Sequence, residues 1–416
     1  MKPRLGGVFL CPFNVAYLCS MHSFARQTFL ENMAQTSPNP LALHVIRAEG
    51  NYLFDVDGNK YLDLIAGISV CNIGHQHPEV VRAVQSQAAE FMHVMVYGET
   101  VQTPQSHYAR ELIQCLPQSL NCCYFVNSGA EAIDGAMKLA KRVTGKMDFV
   151  ALTDAYHGST QGPLSLMSNE YYSQAYRPLL PSVHFINQND IDSIEHLPWE
   201  QIAGVVVEVV QAERGDQLST VAFLQALRKK CDDHCCLLIF DEIQTGFGRT
   251  GTLFAFEQTG VVPDVLVLGK ALGGGMPMGA FVADRALMWT LSNQPVLGHI
   301  TTFGGHPVVA AAGSAALSVL KSENLIASVF SKEQLFRDRL KHPRIKAIHG
   351  KGLMLAVELE NFDSVQLCIQ KMLNKGLFSD WFLFAPHCLR LSPPLTITIA
   401  EIEEACRKIV EALQEN

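Results

Sequence analysis

The sequence lacks three features that would point to particular classes of protein: a long apolar run, an excess of basic charge and an internal repeat. No run approaches about 18 apolar residues, so no segment is expected to span a membrane. The formal net charge of −8 and the pI near 6.0 argue against nucleic acid as a main partner, because phosphate binding needs a basic patch. The 416 residues, 48% hydrophobic and 17% charged, predict a soluble globular protein of about two or three domains.

The twelve cysteines show no regular disulfide framework. Residues 122–123 and 235–236 are adjacent cysteine pairs beside apolar runs, which favours buried free thiols and a reducing cytoplasm. Cys231 and His234 lie close to the second pair and could suggest a metal site. The C-x-x-C spacing of zinc sites is absent, so we expect no metal.

The first 32 residues are an N-terminal extension with some features of a signal peptide. Two basic residues precede an apolar stretch over residues 8–19, but Pro12 and Asn14 interrupt it and no convincing cleavage site follows. We therefore expect a disordered tail, or a true start at a later methionine, rather than secretion.

A short apolar run at residues 265–268 leads through Gly269 to Lys270, and further glycines follow. Such a run is typical of a buried strand in a parallel sheet, whose ligands bind beyond the carboxyl ends of the strands. A lysine that is partly desolvated there has a lowered pKa and is a better nucleophile toward an aldehyde. The alternative is a lysine that ends a strand and points to solvent.

Two further apolar runs also end at functional groups. Residues 237–240 lead to Asp241, and residues 205–207 lead to Glu208. Three such strand ends predict one ligand crevice. A carboxylate beside a ring nitrogen keeps that nitrogen protonated, so a lysine and an aspartate together indicate pyridoxal phosphate.

Residues 241–251 and 269–277 resemble the class III pyridoxal-phosphate aminotransferases, and the chain is most similar to their acetylornithine/ornithine branch over roughly residues 33–416. The resemblance implies an α/β protein of fold type I, whose large domain has a mostly parallel seven-stranded sheet flanked by helices. A small α+β domain is expected from both chain ends. The implied division is an extension at 1–32, small-domain segments at 33–75 and 306–416, and a large cofactor-binding domain at 76–305.

The same resemblance assigns residues to the pyridoxal 5'-phosphate ring. Lys270 is expected to hold the cofactor as a Schiff base and to move a proton as general base and acid. Asp241 is expected at the ring nitrogen and Gln244 at the ring hydroxyl. Tyr156 is expected to stack on the ring, with His157 beside it as a further cofactor contact. Without the resemblance, a tyrosine packed in the core explains position 156 equally well.

The cofactor phosphate is expected at a helix N-terminus and at a subunit boundary. Ser128, Gly129 and Ala130 form a small-residue turn before a helix, where free N–H groups attract anions. An ordinary capped helix is the alternative. In the family, the residue matching Thr302 contacts the phosphate of the neighbouring subunit, which implies a homodimer with shared sites. Otherwise Thr302 is a turn hydroxyl that bonds its own backbone.

Two residues are implied in substrate binding. Arg390 resembles the arginine that grips a substrate carboxylate with its planar fork, although a surface arginine is the alternative. Glu208 resembles the residue that swings onto that arginine between half-reactions. The family pattern is broken around it by Val209, Ala212 and Arg214. The arginine that usually follows His-Gly and binds a second carboxylate is replaced by Ser159.

The predicted function is transfer of an amino group from an ω-amino or diamino acid to a 2-oxo acid, with 2-oxoglutarate as the expected acceptor. Cytoplasmic amino-acid metabolism, and arginine biosynthesis in particular, would follow. Open alternatives are a 4-aminobutyrate, lysine or other amine transaminase, and an aminomutase or decarboxylase on the same site. A NAD-dependent oxidoreductase, suggested by the glycines at 246–251, is disfavoured because no acidic strand end follows at the usual spacing. A non-catalytic scaffold has no need for Lys270 and Asp241.

Overall fold

The computed structural model describes residues 15–96 and 100–414, with helices and strands alternating through the middle of the chain. The strands are β1 (Val45–Glu49), β2 (Tyr52–Asp55), β3 (Lys60–Asp63), β4 (Cys122–Val126), β5 (Asp148–Leu152), β6 (Val183–Ile186), β7 (Ile202–Glu208), β8 (Val210–Gln211), β9 (Gln217–Leu218), β10 (Leu237–Asp241), β11 (Val265–Leu268), β12 (Gly279–Ala283), β13 (Ala347–Gly350), β14 (Leu355–Glu358), β15 (Leu377–Phe378) and β16 (Cys388–Leu391).

The α-helices are α1 (Val15–Asn32), α2 (Ala66–Ser69), α3 (Pro78–Glu90), α4 (Thr103–Ile113), α5 (Gly129–Thr144), α6 (Gln161–Ser165), α7 (Glu170–Ser173), α8 (Ile191–Glu195), α9 (Val221–Asp233), α10 (Arg285–Met288), α11 (Pro307–Ser322), α12 (Val329–Arg339), α13 (Phe362–Asn374) and α14 (Ile399–Gln414). Short 3-10 segments occur at Gln174–Tyr176, Ala255–Gln258, Lys270–Gly273, Trp289–Ser292 and Leu325–Ser328.

The central sheet has seven strands in the order β4-β12-β11-β10-β7-β5-β6. β12 runs antiparallel to both of its neighbours, and the pairings among β11, β10, β7, β5 and β6 are all parallel. The prediction of a mostly parallel seven-stranded sheet is therefore confirmed. Its strand order is not sequential, so the ends of β10, β11 and β7 meet in the middle of the sheet.

The sheet is covered on both faces, which explains why its strands are apolar runs without alternation. Along β10, Ile239 packs with helix α5, whereas Leu238 and Phe240 belong to the larger core on the other face, with helix α9. Helix α5 lies unusually close to the sheet at Gly135. A Cβ atom added at this position would lie only 2.3 Å from the Phe281 ring. These contacts hold the helix whose N-terminus faces the cavity described below.

The C-terminal part of the chain forms a smaller α+β arrangement. Strands β13, β14 and β16 form an antiparallel sheet, accompanied by helices α12, α13 and α14. Strand β15 pairs in parallel with β3, at Leu62 with Leu377 and at Asp63 with Phe378. Segments from both ends of the chain therefore contribute to this region, as predicted.

The chain forms two compact units. The described residues of the first are 15–48 and 53–60, and the second comprises 49–52 and the described chain from Tyr61 onward, including the seven-stranded sheet and the three-stranded sheet of β13, β14 and β16. The predicted boundaries at 33–75, 76–305 and 306–416 stay a prediction. Of the predicted extension at 1–32, residues 1–14 lie outside the described residues and the remainder forms α1. Over the described chain, no helix combines the length and apolarity needed to cross a membrane.

Candidate active site

A cavity of about 210 Å³ lies at the carboxyl ends of the central strands. Ligands of open α/β sheets bind at this edge, because loops there diverge to opposite faces. The residues that line the cavity come from the last residues of β7 and β10 and from the segments after β4, β5, β7, β10 and β11: Gly129, Ala130, Tyr156, His157, Gly158, Ser159, Glu208, Ala212, Glu213, Asp241, Ile243, Gln244, Thr245 and Lys270. Most of the predicted site residues are among them.

Lys270 lies two residues after β11, in a left-handed backbone conformation with φ +48°. A side chain rarely adopts that conformation unless the surrounding structure holds it, and such strain often marks a functional site. The Nζ atom donates a hydrogen bond of 2.7 Å to Gln244 Oε1. Burial lowers the pKa of Lys270, and nearby Arg390 lowers it further against the opposing charges of Glu213 and Asp241. The lysine is thus turned into the crevice and has increased nucleophilic character.

Asp241, the last residue of β10, is fixed by two hydrogen bonds. His157 Nδ1 lies 2.7 Å from one carboxylate oxygen, and the Ile243 N–H donates to the other at 2.9 Å. Burial alone would lower the pKa of His157, but the hydrogen bond and charge of Asp241, with Glu208, raise it above its ordinary value. The sequence indicated His157 only as a cofactor contact, whereas the structure places it as the partner that orients Asp241.

Glu208 stands beside Asp241, because the two residues are paired in register on strands β7 and β10. Its Oε2 accepts a hydrogen bond of 3.0 Å from the Ala212 N–H, while its buried Oε1 has no partner among the described residues. Burial raises the pKa of Glu208 to about 7. In the same cavity, the buried Nε2 of Gln244 has no hydrogen-bond partner in the described part of the chain.

Helix α5 directs its N-terminus at the cavity. Ser128 is its N-cap, and the Ser128 Oγ accepts a hydrogen bond of 3.2 Å from the Glu131 N–H. Gly129 and Ala130 line the cavity in the first turn, where backbone N–H groups lack helical partners and favour an anion. A Cβ at Gly129 would lie 2.7 Å from Ile243, so a glycine is needed for this close approach.

Arg390 on β16 is buried, so the alternative of a surface arginine is wrong. Its Nη2 donates to both carboxylate oxygens of Glu213, at 2.9 and 3.0 Å. Its Nε lies 2.9 Å from Asp380 Oδ1, and its guanidinium lies 4.2 Å from the Phe382 ring centroid. Burial alone would lower the pKa of Arg390, but Glu213 and Asp380 raise it above its ordinary value.

The structure corrects the expected partner of Arg390 from Glu208 to Glu213. The hairpin of β8 and β9 turns between Ala212 and Asp216, which carries Glu213 toward the segment that precedes β16. There the Leu383 N–H donates to Glu213 Oε2 at 3.0 Å. Glu208 remains at the end of β7, beside Asp241. The sequence contains both glutamates, five residues apart, but nothing in it indicated Asp380 as a partner of Arg390.

Three predicted residues stand apart from the cavity lining. Ser128 lies behind the helix turn, Arg390 lies behind Glu213, and Thr302 is exposed on the surface of the chain. Tyr156 does line the cavity and is partly accessible, with its hydroxyl 3.1 Å from Ser159 Oγ.

The dinucleotide site suggested by the glycines at 246–251 lacks support in the fold. The glycine-rich turn at 246–251 is followed by the 3-10 segment at residues 255–258 and not by the α-helix that a dinucleotide site requires. Among the side chains that the structure describes, no group of three or more His, Cys, Asp or Glu residues could hold a metal ion.

The cavity does fit pyridoxal phosphate. It offers a desolvated lysine amine for the aldehyde and a histidine-paired aspartate for the ring nitrogen. The unpaired Gln244 Nε2 provides a donor for the ring hydroxyl, and the first turn of α5 provides N–H groups for the phosphate.

Comparisons with known proteins also indicate a pyridoxal-phosphate-dependent aminotransferase. The family model of the class-III aminotransferases matches residues 33–413. The acetylornithine aminotransferase of Caldanaerobacter subterraneus subsp. tengcongensis is 35% identical over 404 residues, covering 93% of this chain and 99% of that relative. The acetylornithine aminotransferase of Methanosarcina mazei is 37% identical over 384 residues, covering 90% and 91%.

A solved structure of the ornithine aminotransferase from Toxoplasma gondii, described with partial occupancy of PLP at its active site, is 29% identical. It superposes with a TM-score of 0.83 and covers 95% of this chain and 94% of that one. The chain therefore belongs to the class III aminotransferases and is a pyridoxal-phosphate-dependent transaminase.

Proposed function

We propose that this enzyme moves an amino group from the ω end of an amino or diamino compound to a 2-oxo acid. The observation that carries the proposal is the Lys270 amine, which lines the same cavity as the hydrogen-bonded His157–Asp241 pair. The ornithine and acetylornithine named for the relatives belong to this class of donor. 2-Oxoglutarate is the acceptor expected from the resemblance, and a role in arginine biosynthesis would follow if acetylornithine is the donor.

Each residue of the cavity has a distinct task in this proposal. Pyridoxal phosphate, when bound, supplies an aldehyde and an electron-withdrawing ring. The Lys270 amine would hold the aldehyde and, when free, would move a proton at the reacting substrate carbon. Asp241 keeps the ring nitrogen protonated, and His157 holds Asp241 in place. Gln244 would donate to the ring hydroxyl, and Tyr156 would cover the ring face and exclude water.

The phosphate and the substrate carboxylate have separate anchors. We assign the phosphate to the backbone of Gly129 and Ala130, with Ser128 fixing the turn and Thr302 contributed by a neighbouring subunit. Arg390 binds the carboxylate of the 2-oxo acid after Glu213 moves aside. The exchange is isoelectric, because one carboxylate replaces another on the same guanidinium. Glu208, which lies beside Asp241, is assigned to substrate binding.

A transamination assay tests the proposal. The holoenzyme with ornithine or acetylornithine should consume one 2-oxo acid for each amine, with 2-oxoglutarate and pyruvate assayed side by side. Arg390→Lys keeps the charge but loses the planar fork, so the KM for the 2-oxo acid should rise by about tenfold or more. The donor half-reaction, followed by the cofactor's visible absorbance, should change much less.

The matched control is Arg228→Lys, because Arg228 also pairs with a carboxylate, Asp264 at 2.8 Å, but lies outside the cavity lining. It should leave both half-reactions unchanged. Rearrangement of the amine without 2-oxo acid consumption would contradict the proposal and indicate an aminomutase.

We further propose a homodimer with two shared sites. Residues 289–303 form an apolar surface segment that includes Thr302. Trp289, Val296, Leu297, Ile300 and Phe303 in this segment each expose between 56% and 70% of their surface in the single chain. Monomeric proteins rarely expose such contiguous apolar surface, so a second copy is a suitable cover.

Ile300→Asp is expected to shift the protein from dimer to monomer, because it places a charge in the buried interface. Size-exclusion chromatography with light scattering would measure the mass, and cofactor retention should fall with it. Tyr171→Asp is the control, since Tyr171 is 87% exposed and lies outside the segment. An Ile300→Asp protein that remains a dimer would contradict this interface.

We also propose a cytoplasmic location. Ten cysteines between Cys71 and Cys406 are free thiols, including the buried Cys231, Cys236 and Cys368. Unpaired cysteines are typical of a reducing compartment. Cell fractionation, with the activity expected in the cytoplasmic extract, would check this location.

A further inference from the structure

Helix α9 ends in a turn that brings two cysteines together. The Cys236 N–H donates to the Cys231 carbonyl at 3.1 Å. The Cys235 N–H donates to the Asp232 carbonyl at 3.4 Å, and Cys235 adopts a left-handed φ of +50°. These two bonds and the left-handed residue define a Schellman motif, in which the side chains of the first and last residues commonly contact each other. In this chain both of those residues are cysteines.

The backbone of this turn keeps the two cysteines at a separation that a disulfide can bridge. A backbone hydrogen bond of 3.1 Å limits the distance between the Cα atoms of Cys231 and Cys236 to about 7 Å, the largest that a disulfide tolerates. Cys231 is completely buried, whereas Cys236 keeps 3% of its surface exposed. Cys236 directly follows the exposed Cys235, so a small oxidant can reach the pair from the turn.

The two thiols differ in acidity. Burial raises the pKa of Cys231, and its hydrogen bond with Cys236 raises it further. The same hydrogen bond lowers the pKa of Cys236 against the effect of burial, and the charges of Lys146 and Arg228 lower it further. Lys146 is held in this turn, because its Nζ donates to the His234 carbonyl at 2.6 Å. The thiolate is the form that reacts with peroxides, so Cys236 is suited to be the nucleophile and Cys231 the resolving thiol.

We propose that Cys231 and Cys236 are an oxidative modification site, at which hydrogen peroxide forms a reversible disulfide. The Cys236 thiolate attacks the O–O bond, which leaves a sulfenic acid on Cys236 and releases hydroxide. The Cys231 sulfur then displaces the hydroxyl of the sulfenic acid, so that the S–S bond forms. Together with the two thiol protons, the hydroxide and the hydroxyl leave as water, so one peroxide is reduced to two waters. Small thiols of a reducing compartment return the disulfide to two thiols by exchange.

The site lies where irreversible oxidation would be damaging. Strand β10 begins directly after Cys236 and ends at Asp241. Without a neighbouring thiol, a sulfenic acid proceeds to a sulfinic acid, which thiols do not reduce. A sulfinate at Cys236 would place a charge at the buried start of this strand. The disulfide stops the oxidation at a reversible step and thereby protects the strand.

Other cysteines of the chain serve as internal references. Cys122 and Cys123 are successive residues of strand β4, so their side chains point to opposite faces of the sheet and cannot pair. Cys368 is buried in helix α13, and its Sγ lies 3.7 Å from Met372 Sδ. Adjacency in sequence or burial alone therefore does not make a disulfide site, whereas the turn after α9 supplies the required geometry.

Peptide mass spectrometry of the holoenzyme tests the proposal. The tryptic peptide of residues 231–249 contains Cys231, Cys235 and Cys236 and no other cysteine. After treatment with hydrogen peroxide and alkylation of the remaining thiols, this peptide should carry one alkyl group instead of three. Dithiothreitol added before alkylation should restore three. The Cys368 thiol should be lost at least about tenfold more slowly, because burial raises its pKa and disfavours the thiolate.

Two variants identify the pair. Cys235→Gly removes the exposed thiol and suits the left-handed turn, so it is the matched control and should still form the disulfide. Cys231→Ser removes the resolving thiol at similar size, so peroxide should convert Cys236 to a sulfinic acid. The Tm of this variant should fall on oxidation and stay low after dithiothreitol. The wild-type Tm should be the same before oxidation and after reduction.

Two results would overturn the proposal. One is a wild-type peptide that still carries three alkyl groups after peroxide treatment. The other is a Cys235→Gly enzyme that forms no disulfide, which would show that Cys235 is the partner of Cys236 or of Cys231. Because the readouts are peptide mass and Tm, neither result depends on which amine or 2-oxo acid the enzyme uses.

Discussion

Lys270→Ala is expected to lower turnover by about 10⁴-fold or more, because one amine supplies both the cofactor link and the proton transfer. The protein should still bind pyridoxal phosphate through the N-terminus of α5 and Asp241. The visible band of the lysine-linked cofactor should be absent from its spectrum. Stopped-flow assays and absorbance spectra measure the two effects independently.

Two comparisons make the Lys270 result specific. Lys332→Met removes another lysine with little exposure. The Lys332 amine lies outside the cavity and donates to the Leu395 carbonyl at 2.5 Å, so this substitution should leave the spectrum unchanged. Added methylamine should restore part of the activity of Lys270→Ala, because a free amine can enter the space and accept the proton. Near-normal turnover in Lys270→Ala without added amine would refute the assignment.

Asp241→Asn is expected to lower kcat by about 10²–10³-fold, the usual cost of losing one group placed to stabilise developing charge. The amide keeps the shape of the carboxylate but cannot hold a proton on the ring nitrogen by charge. The pKa of His157 should fall at the same time, since the hydrogen bond and charge of Asp241 are what raise it. A titration of His157 by NMR would follow that fall.

The control for Asp241→Asn is Asp148→Asn. Asp148 begins strand β5 of the same sheet and pairs with His184 at 2.9 Å, but it lies outside the cavity lining. This substitution makes the same chemical change and should leave kcat nearly unchanged. An Asp241→Asn enzyme with wild-type kcat would show that the ring nitrogen is held by another group.

Local pattern predicted the positions of the residues at strand ends, although for Lys270 it left open whether the side chain faces a ligand or the solvent. Lys270 and Asp241 follow apolar runs of a length typical of buried strands, and chain direction then fixes where such residues emerge in a parallel sheet. The turn at Ser128 to Ala130 was predictable for a similar reason, because small residues before a helical pattern indicate an N-terminus. These are local signals, and the structure places the residues accordingly.

Groups that meet through long-range packing gave no such signal. Arg249 illustrates this, because it lies in a glycine-rich turn that looked like a cofactor motif. In the structure it is buried, and its Nη1 donates to the carbonyls of Leu353 and Pro393, joining that turn to the segment after β16. Partners more than a hundred residues away in sequence cannot be read from local composition.

The sequence by itself determined the class of chemistry: a parallel sheet with a lysine and an aspartate at adjacent strand ends, and a helix N-terminus for the phosphate. Only the tertiary structure decided that Glu213, and not Glu208, covers Arg390, and that Asp380 holds its other side. The physical reason is that strand ends follow from periodicity and direction along one segment. Which carboxylate reaches a buried guanidinium depends instead on how a hairpin, a loop and a second sheet pack together.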